Sequence, residues 1–597
     1  MACPGSGKTF TLLKRLDHLV RSGVPASKIL VHSFSNESVN ELRRRMVALG
    51  MVPTAARTGA VSGDDGNTGS GSAREIFGVK DDPADLSDVE IKTVHAFALG
   101  VVKRRFPGLG NLSEDLAPVL FKKAIRDTLD EDDGDRKKLK ELLDNPVAQK
   151  RLMTAISYAC SALMPVSAVL ESGRFEKLKH YATVADQIQK RYGFAKRRAK
   201  KMDFSDMLSY AAGAIKCEPR AITYTQVLVD EYQDSSSAQA HLLAALVNSA
   251  ACKIMVFGDF FQSLYEFGGN RYTPLSKVVS GVRVLALPVS HRLTRPVAAL
   301  ASVVAGHTKA QAIISLRDGP LPVLVRSSGL TSQTRAVVRN IRKLVADGTS
   351  LSQIAVLART KALLAPVEQR LLAKGIQTVR LGQKRDLQHP LRVLRLVSLV
   401  EGHAHRNVAI NPAGLRNILG RASPFDDVDG VWEKQVRALR KAARAPSTEG
   451  RYRICADVYL RCLGGITKNK EIQHDLNRWA PLCRGMANAK AMRAAIQELD
   501  PPGLVTATIH AAKGREWDHV LVVGVADGQL PLYLARSKDQ LAEERRLLYV
   551  AISRTKSTLH LYHAPVDHAR SRGRFGDLSR FLTPRSALAL LTIKGEY

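Results

Sequence analysis

Short runs of apolar residues alternate along the chain with longer amphipathic segments. Residues 29–34 form an apolar run of strand length, and residues 36–49 form a basic segment that places Val39, Leu42 and Met46 on one helical face. Residues 361–374 also show helical periodicity. Further runs of strand length occur at residues 226–229, 253–257, 282–286, 354–357, 378–381, 520–524 and 559–563. This alternation of strands and helices predicts an α/β fold.

Two long charged segments interrupt the alternation. Residues from about 103 to 201 and from about 391 to 499 have the pattern of helices with no clear strand, and residues 59–73 have the composition of a flexible loop. We therefore predict two α/β lobes, each with a helical insertion. The first lobe comprises residues 1–95 and 203–290, with the insertion at residues 96–202. The second comprises residues 291–389 and 501–597, with the insertion at residues 390–500.

The charge of the chain points to its partner. The composition, with 45% apolar and 24% charged residues, is that of an ordinary globular protein. However, 89 Lys and Arg against 56 Asp and Glu give a net charge of +33. Such a surplus favours a polyanionic partner, most commonly nucleic acid. A solubilising basic surface and an anionic membrane surface are the alternatives that charge alone leaves open.

The cysteines and the apolar runs indicate the compartment. No two of the seven cysteines form a C-x-x-C pair, which favours free thiols in a reducing compartment. A metal or cluster site on Cys455, Cys462 and Cys483 is the alternative. No apolar run has the length of a membrane span, and the first residues lack the features of a signal peptide. We expect a cytoplasmic protein without a membrane partner, associated with the nucleoid if the source is bacterial.

A phosphate-binding loop opens the chain at residues 2–9, Ala2-Cys-Pro-Gly-Ser-Gly-Lys-Thr9. Gly5 and Gly7 allow backbone N–H groups, including that of Ser6, to close around phosphate oxygens. Lys8 would reach the β- and γ-phosphates, and the Thr9 hydroxyl would bind Mg²⁺. Ala2 stands where the usual pattern has its first glycine. Taken alone, the octamer could also be a chance glycine-rich turn.

An acidic pair follows an apolar strand in the segment of residues 227–234, VLVDEYQD. The carboxyl ends of strands are where α/β proteins bind their ligands. Asp230 would hold Mg²⁺, and Glu231 would orient and deprotonate an attacking water. A solvated acidic turn at a strand end is the alternative interpretation.

Together these motifs resemble those of superfamily 1 DNA helicases of the UvrD/Rep/PcrA group. Further segments match motifs of that group in order along almost the whole chain. They are Phe34-Ser-Asn36 (motif Ia), Thr93-Val-His-Ala-Phe97 (Ib), Asp203-Phe-Ser-Asp206, residues 258–265 (III), His291-Arg292 (IV), residues 508–516 (V) and residues 543–554 (VI). The resemblance implies two RecA-like P-loop NTPase lobes with ATP between them.

The resemblance also implies roles around the nucleotide. Gln262 resembles the sensor of the γ-phosphate, and Arg292 and Arg554 resemble arginine fingers that stabilise charge on the transferred phosphoryl group. Glu516 resembles the residue that contacts the ribose. His291 replaces the expected tyrosine and is expected to stack on the base. For Arg292, a surface cation after a strand is the alternative.

A single DNA strand is expected to cross the tops of both lobes, where aromatic residues stack on bases and basic residues follow the backbone. The resemblance suggests eight residues for these contacts, although each aromatic could instead pack in the core. They are Phe34, Asn36, His95, Phe97, Tyr265, Phe267, Thr508 and His510.

Three departures from the family pattern qualify the resemblance. The sequence begins inside the phosphate loop, whereas the family has a preceding strand and a glutamine that reads adenine. We therefore expect GTP or CTP to be hydrolysed within about tenfold of ATP. Phe267-Gly268 stands where the family has an aromatic residue followed by arginine, and His291 stands where the family has tyrosine. The second helical insertion is also shorter than usual.

The resemblance implies an ATP- and Mg²⁺-dependent motor that translocates along single-stranded DNA. It would unwind tailed duplexes in the 3′→5′ sense during DNA repair, recombination or replication. Two alternatives remain. One is a DNA-stimulated ATPase subunit of a nuclease-linked complex that does not unwind by itself. The other is a DNA-binding scaffold that does not hydrolyse nucleotide, against which the intact catalytic residue types argue.

Overall fold

A computed structural model describes residues 2–52, 84–131, 134–264, 272–308, 311–381, 388–406, 431–462, 503–565 and 576–596, together with residues 473, 476, 477 and 488. The strands are numbered in chain order. They are β1 (Ile29–Ser33), β2 (Glu90–Thr93), β3 (Gly110–Asn111), β4 (Lys201–Met202), β5 (Gln226–Val229), β6 (Lys253–Val256), β7 (Val289–Thr294), β8 (Ile314–Arg317), β9 (Val323–Ser327), β10 (Ile354–Ala358), β11 (Thr378–Arg380), β12 (Leu504–Thr508), β13 (Trp517–Val523), β14 (Thr555–His563) and β15 (Thr592–Glu596).

The α-helices are numbered in the same way. They are α1 (Lys8–Arg21), α2 (Asn36–Ala48), α3 (Val94–Arg105), α4 (Leu116–Leu129), α5 (Arg136–Asp144), α6 (Pro146–Ala162), α7 (Val166–Glu171), α8 (Ala182–Arg198), α9 (Phe204–Cys217), α10 (Ser237–Asn248), α11 (Arg295–Ala305), α12 (Leu330–Ala346), α13 (Lys361–Leu372), α14 (Gln388–Arg406), α15 (Val431–Ala443), α16 (Thr448–Cys462), α17 (Lys538–Ile552) and α18 (Arg585–Leu588).

The first lobe is built on a four-stranded parallel sheet in the order β2-β1-β5-β6. Val31 at its centre pairs with Ile91 on one side and Leu228 on the other. Alternate residues of these strands enter two separate cores, with Leu30 and Val227 in one and Val31 in the other. All of β1 is buried because helices cover both faces, as is usual for a parallel sheet.

The second lobe is built on a seven-stranded parallel sheet in the order β11-β12-β10-β13-β14-β9-β15. The interior strand β10 is buried throughout, and Leu357 and Val356 point into the two cores on opposite faces. These parallel sheets with helices on both faces confirm the predicted α/β class. The short apolar runs predicted seven of the eleven strands in these two sheets, because a strand buried on both faces is apolar throughout. The strands β2, β9, β12 and β15 were not predicted.

Along the chain, two groups of helices are inserted between strands of the two sheets. Helices α4 to α8 enclose a core that includes Phe121, Leu152 and Ile188. Helices α14 to α16 enclose another around Val397 and Tyr459. The prediction of no strand between about 103 and 201 needs one small correction, because β3 and β4 form a short parallel pair there.

One strand prediction was wrong. Residues 282–286 do not form a strand, and Val284 and Leu285 are 66% and 57% exposed. A strand requires a hydrogen-bonding neighbour, and among the described residues none of 282–286 pairs with a strand. The nearest bridge joins the adjacent Leu287 to Ala2. The predicted loop at residues 59–73 lies outside the described residues.

The described helices and cysteines can also be examined for membrane spans and metal sites. Among the helices described, none combines the length and apolar character that crossing a bilayer would require. Cys3, Cys160, Cys217, Cys252 and Cys455 are free thiols. The described residues contain no group of three or more His, Cys, Asp or Glu side chains arranged to hold a metal ion. Cys483 lies outside the described residues.

Candidate active site

The phosphate loop is held between the first sheet and the segment that leads into β7. The Ala2 N–H donates to the Gly258 carbonyl at 3.1 Å, and the His291 N–H donates to the Gly5 carbonyl at 2.9 Å. Gly5 and Gly7 have φ values of +72° and +77°, a region that side chains disfavour. A Cβ atom on Gly5 would lie 2.4 Å from the Cβ of Arg292. At position 5, both the backbone conformation and the lack of space beside Arg292 therefore require glycine.

Helix α1 begins directly after this loop, and Gly7 is its N-cap. The unpaired N–H groups and positive dipole end of a helix N-terminus attract anions. Lys8 is the first helical residue, and Ser6 lies buried in the loop. This arrangement suits a polyphosphate.

Asp230 follows the last residue of β5 and faces Thr9 of α1. The Asp230 N–H donates to the His32 carbonyl at 2.8 Å, and the Thr9 hydroxyl lies 3.5 Å from Oδ2 of Asp230. Burial, followed by the charge of the neighbouring Glu231, raises the pKa of Asp230 to about 7 against the effect of Lys8. A cation bound between these oxygens would relieve this excess of negative charge. The donor set therefore fits Mg²⁺, which prefers oxygen ligands.

Glu231 has the opposite electrostatic balance. Burial disfavours its charged form, but the charges of Lys8 and Lys513 and a hydrogen bond from Gln233 outweigh burial and lower its pKa. The carboxylate is therefore ionised at neutral pH, as a general base requires. Its backbone adopts a left-handed conformation, with φ of +52°.

Gln262 and Arg554 connect the two lobes. The Gln262 amide donates to Oδ2 of Asp259 at 2.7 Å, and Nη2 of Arg554 donates to Oε1 of Gln262 at 2.9 Å. Arg554 is only 2% exposed, and burial, followed by the charge of Arg292, lowers its pKa to about 9. The sequence thus correctly grouped two residues that lie 292 positions apart along the chain.

A second link between the lobes was missed by the sequence analysis. The Lys513 ammonium donates to Oδ2 of Asp234 at 2.6 Å and to the Gln262 carbonyl at 2.7 Å. Burial raises the pKa of Asp234 to about 6, against the effect of Lys513. Both residues stand inside segments that resemble family motifs, so an opposite-charge pair between motifs was the available signal.

Arg292, Glu516 and His291 lie at the margin of this network. Arg292 forms an ion pair with Glu516 and donates to the Ser553 carbonyl at 3.2 Å. Lys556 also contacts Glu516, at 3.1 Å. These two cations lower the pKa of Glu516 although burial opposes the shift. His291 is exposed next to Arg292, where an aromatic ring can meet a base.

The expected DNA residues divide into several groups. Phe34, His95, Thr508 and His510 are half-buried, and Asn36 is exposed at the start of α2. Phe97 is 4% exposed and packs against His32, with ring centroids 5.2 Å apart, so the core interpretation applies to it and it cannot stack on a base. Tyr265 and Phe267 lie outside the described residues.

Phe204 is an exposed aromatic residue that the sequence analysis did not select. It is 70% exposed, and its ring meets that of His95 at 5.6 Å. The flanking Asp203 and Asp206 close the N-terminus of α9 and both bind the buried Lys196 at 2.6 Å. An aromatic residue between two acidic residues after a basic helix was the signal that could have identified it.

Comparison with known proteins agrees with the arrangement of the site. Residues 1–280 match the UvrD/REP helicase N-terminal domain, and residues 489–564 match the UvrD-like helicase C-terminal domain. The chain is 28% identical to the ATP-dependent DNA helicase UvrD2 of Mycobacterium tuberculosis, covering 97% of this chain and 77% of that protein. It is 24% identical to the putative ATP-dependent DNA helicase YjcD of Bacillus subtilis, covering 98% and 78%. It is 22% identical to the ATP-dependent DNA helicase PcrA of Leuconostoc citreum, covering 99% and 83%.

Proposed function

Because the chain belongs to the UvrD/Rep/PcrA type of ATP-hydrolysing DNA helicases, we propose that it moves 3′→5′ along single-stranded DNA and separates tailed duplexes. The observation that carries this proposal is the hydrogen bond from Arg554 of the second lobe to Gln262 of the first. It joins the two lobes beside the phosphate loop. DNA repair, recombination and replication are the processes that use such a motor, and they belong to the proposal.

In the proposed reaction, the phosphate loop and Lys8 bind the β- and γ-phosphates. Thr9 and Asp230 would hold Mg²⁺, which would supply positive charge to the phosphate oxygens when bound. Glu231 orients a water molecule and accepts its proton as the oxygen attacks the γ-phosphorus. The bond from that phosphorus to the β–γ bridging oxygen breaks, and ADP and phosphate are formed.

Residues of the second lobe act on the transition state. Arg554, and Arg292 with it, would stabilise the charge that develops on the transferred phosphoryl group. Gln262, which Arg554 already contacts, would respond to the γ-phosphate. Glu516 would face the ribose and His291 the base. Since Arg554 and Lys513 reach across from the second lobe, movement of the lobes changes the catalytic site directly.

DNA would cross the carboxyl edges of both sheets. Thr508 ends β12 in the second lobe, with His510 two residues beyond, and His95 lies on α3 beside Phe204 in the first lobe. Opening and closing of the cleft would alternately loosen and tighten the contacts of each lobe. The net charge of +33 supports a polyanionic track.

Strand displacement tests this proposal. Duplexes with either a 3′ or a 5′ single-stranded tail are incubated with ATP and Mg²⁺, and Lys8→Ala serves as the inactive control. We expect wild-type protein to release the strand only from the 3′-tailed duplex. Release only from the 5′-tailed duplex would overturn the polarity. DNA-stimulated ATP hydrolysis without release from either would instead identify a translocase that does not unwind.

A further inference from the structure

The loop of residues 524–536, here called the β13 loop, presents an apolar tip to solvent. It follows β13 at the carboxyl edge of the second sheet. Tyr533 and Leu534 at its tip are 49% and 59% exposed, whereas Val525 and Leu530 at its base are fully buried. A buried base with an exposed aromatic tip is unusual for a simple connection, since loop tips are commonly small and polar.

Backbone and side-chain hydrogen bonds fix this tip. The Leu532 N–H donates to Oε2 of Glu544 at 3.0 Å, and the Tyr533 N–H donates to the Gly528 carbonyl at 3.1 Å. Glu544 is buried and receives hydrogen bonds from Nε and Nη2 of Arg359 at 2.9 and 2.7 Å. The tip is therefore held in place before any ligand arrives, which reduces the entropy lost on binding.

The same ion pair places the tip beside the expected DNA path. Arg359 directly follows β10, whose last residue, Ala358, pairs with Thr508. His510 lies close enough to Arg359 for its charge, after burial, to help lower the histidine pKa to about 4. Hydrogen bonds therefore run from Arg359, which follows the strand next to Thr508, through Glu544 to Leu532, one residue before Tyr533.

The charge around the tip matches a DNA strand. Arg536 and Lys538 follow Tyr533 closely along the chain and are both exposed, so the carboxyl side of the loop carries two cations. Single-strand binding sites combine cations for the phosphates with aromatic rings for the bases. Both elements are present here, although Tyr533 belongs to no motif that the sequence analysis selected.

We propose that Tyr533 is a base-stacking residue of the DNA site on the second lobe, with Leu534 packing beside the same base. The inference rests on the proposed function, in which single-stranded DNA crosses this edge of the sheet. It extends that site from Thr508 and His510 to the β13 loop. The Glu544–Arg359 pair acts as its positioning element.

Equilibrium binding of a fluorescently labelled oligothymidylate, measured without nucleotide, tests the proposal. Tyr533→Ala should weaken binding by roughly 5- to 150-fold, the effect of losing one base–aromatic stack. Tyr533→Phe keeps the ring and should bind within about twofold of wild type. Leu372→Ala is the matched control, because Leu372 is 56% exposed at the last residue of α13, far along that helix from Arg359. Its affinity for DNA and its ATPase rate should be unchanged.

Three results would overturn the proposal. They are wild-type affinity in Tyr533→Ala, an equal loss in Tyr533→Ala and Tyr533→Phe, and an equal loss in Leu372→Ala. Wild-type affinity in Tyr533→Ala would instead favour a protein partner for the tip. Failure of the proposed function is distinguishable, because wild-type protein would then bind DNA without any stimulation of ATP hydrolysis. If wild-type protein bound no DNA, both proposals would fall.

Discussion

The nucleotide cleft and the proposed DNA face of the molecule are built in different ways. In the cleft, Asp234, Gln262 and Arg554 are each 5% exposed or less, and their hydrogen bonds cross from one lobe to the other. On the DNA face, Phe204 and Tyr533 are 70% and 49% exposed, and each is positioned by residues of its own lobe. The cleft therefore depends on both lobes at once, whereas each half of the DNA face can form by itself.

This difference has energetic consequences. Charges act strongly on one another in a buried network because little water screens them. Contacts on an exposed face are individually weak and screened by salt, so affinity arises from many of them together. We therefore expect changes in the cleft to act on turnover and changes on the DNA face to act on affinity.

The largest effect is expected for Arg554→Ala. Because its guanidinium would stabilise charge that develops only in the transition state, the turnover number for ATP should fall by roughly 10³-fold while nucleotide affinity changes little. Steady-state kinetics and binding of a fluorescent nucleotide measure the two quantities. The matched control is Arg105→Ala, whose guanidinium pairs with Glu218 at 3.0 Å on the surface. Equal losses in turnover and affinity would indicate a ground-state role for Arg554.

Glu231→Gln should have the next largest effect. The amide cannot accept the proton of the attacking water, so turnover should fall by at least about 10²-fold. Nucleotide and DNA binding should persist, because the carboxylate acts on water. Glu218→Gln on the surface serves as the matched control. Near-normal DNA-stimulated ATPase activity in Glu231→Gln would remove the proposed general base.

The affinity of the proposed DNA face for single-stranded DNA should depend strongly on salt concentration. Each phosphate neutralised on a single strand should contribute roughly 0.7 to the slope of log affinity against log salt concentration. The slope should therefore be steep, and it should hardly change with base sequence, because stacking does not depend on base identity. Titration of labelled oligonucleotides at several salt concentrations measures both. A flat salt dependence, or a strong preference for one sequence, would contradict a face that follows the backbone.

His32 lies beside the nucleotide cleft and gives a smaller, pH-dependent effect. Its carbonyl accepts from Asp230, and its ring packs on Phe97. Burial lowers its pKa to about 4, so the folded protein keeps it neutral while the unfolded chain takes up a proton near pH 6.5. Stability from this residue is thus present above about pH 6.5 and is lost as the pH falls towards 4.

His32→Leu tests this linkage. At pH 4.5, protonation of His32 in the unfolded chain should lower the free energy of unfolding of the wild-type protein by about 2 to 3 kcal/mol relative to pH 7. His32→Leu should not show this loss. Thermal unfolding at pH 7 and pH 4.5 should accordingly show a smaller loss of midpoint temperature in His32→Leu. The other buried histidines contribute to both proteins and cancel in the comparison. An identical pH effect in the two proteins would show that His32 does not titrate on unfolding.

The sequence predicted local features well and distant contacts poorly. The strand before Asp230 and the loop before Lys8 depend on neighbouring residues, so their patterns sufficed. By contrast, the sequence could not decide between core packing and base stacking for Phe97, because its burial depends on rings in other elements, such as that of His32. The Lys513–Asp234 link joins residues 279 positions apart and depends on how the lobes meet.

The sequence also predicted poorly which segments form strands at the edges of the sheets. Residues 282–286 have a strand-like composition but no strand to pair with in the described part of the chain. Conversely, the strand β15 pairs with β9 although its own five residues include Lys594 and Glu596, which give a mixed pattern. Whether a segment forms a strand at an edge depends on its neighbour more than on its composition.

We claim that binding of DNA acts on the cleft through the Lys513–Asp234 link between the lobes, since Lys513 lies three residues after His510 of the proposed DNA site. The most direct test is the ratio of ATP turnover with and without saturating oligothymidylate, in wild-type protein and in Lys513→Met. We predict that DNA raises wild-type turnover by roughly tenfold or more and that Lys513→Met loses most of this stimulation, since the Asp234 link is broken. Turnover that is the same with and without DNA in wild-type protein, or full stimulation in Lys513→Met, would contradict the claim.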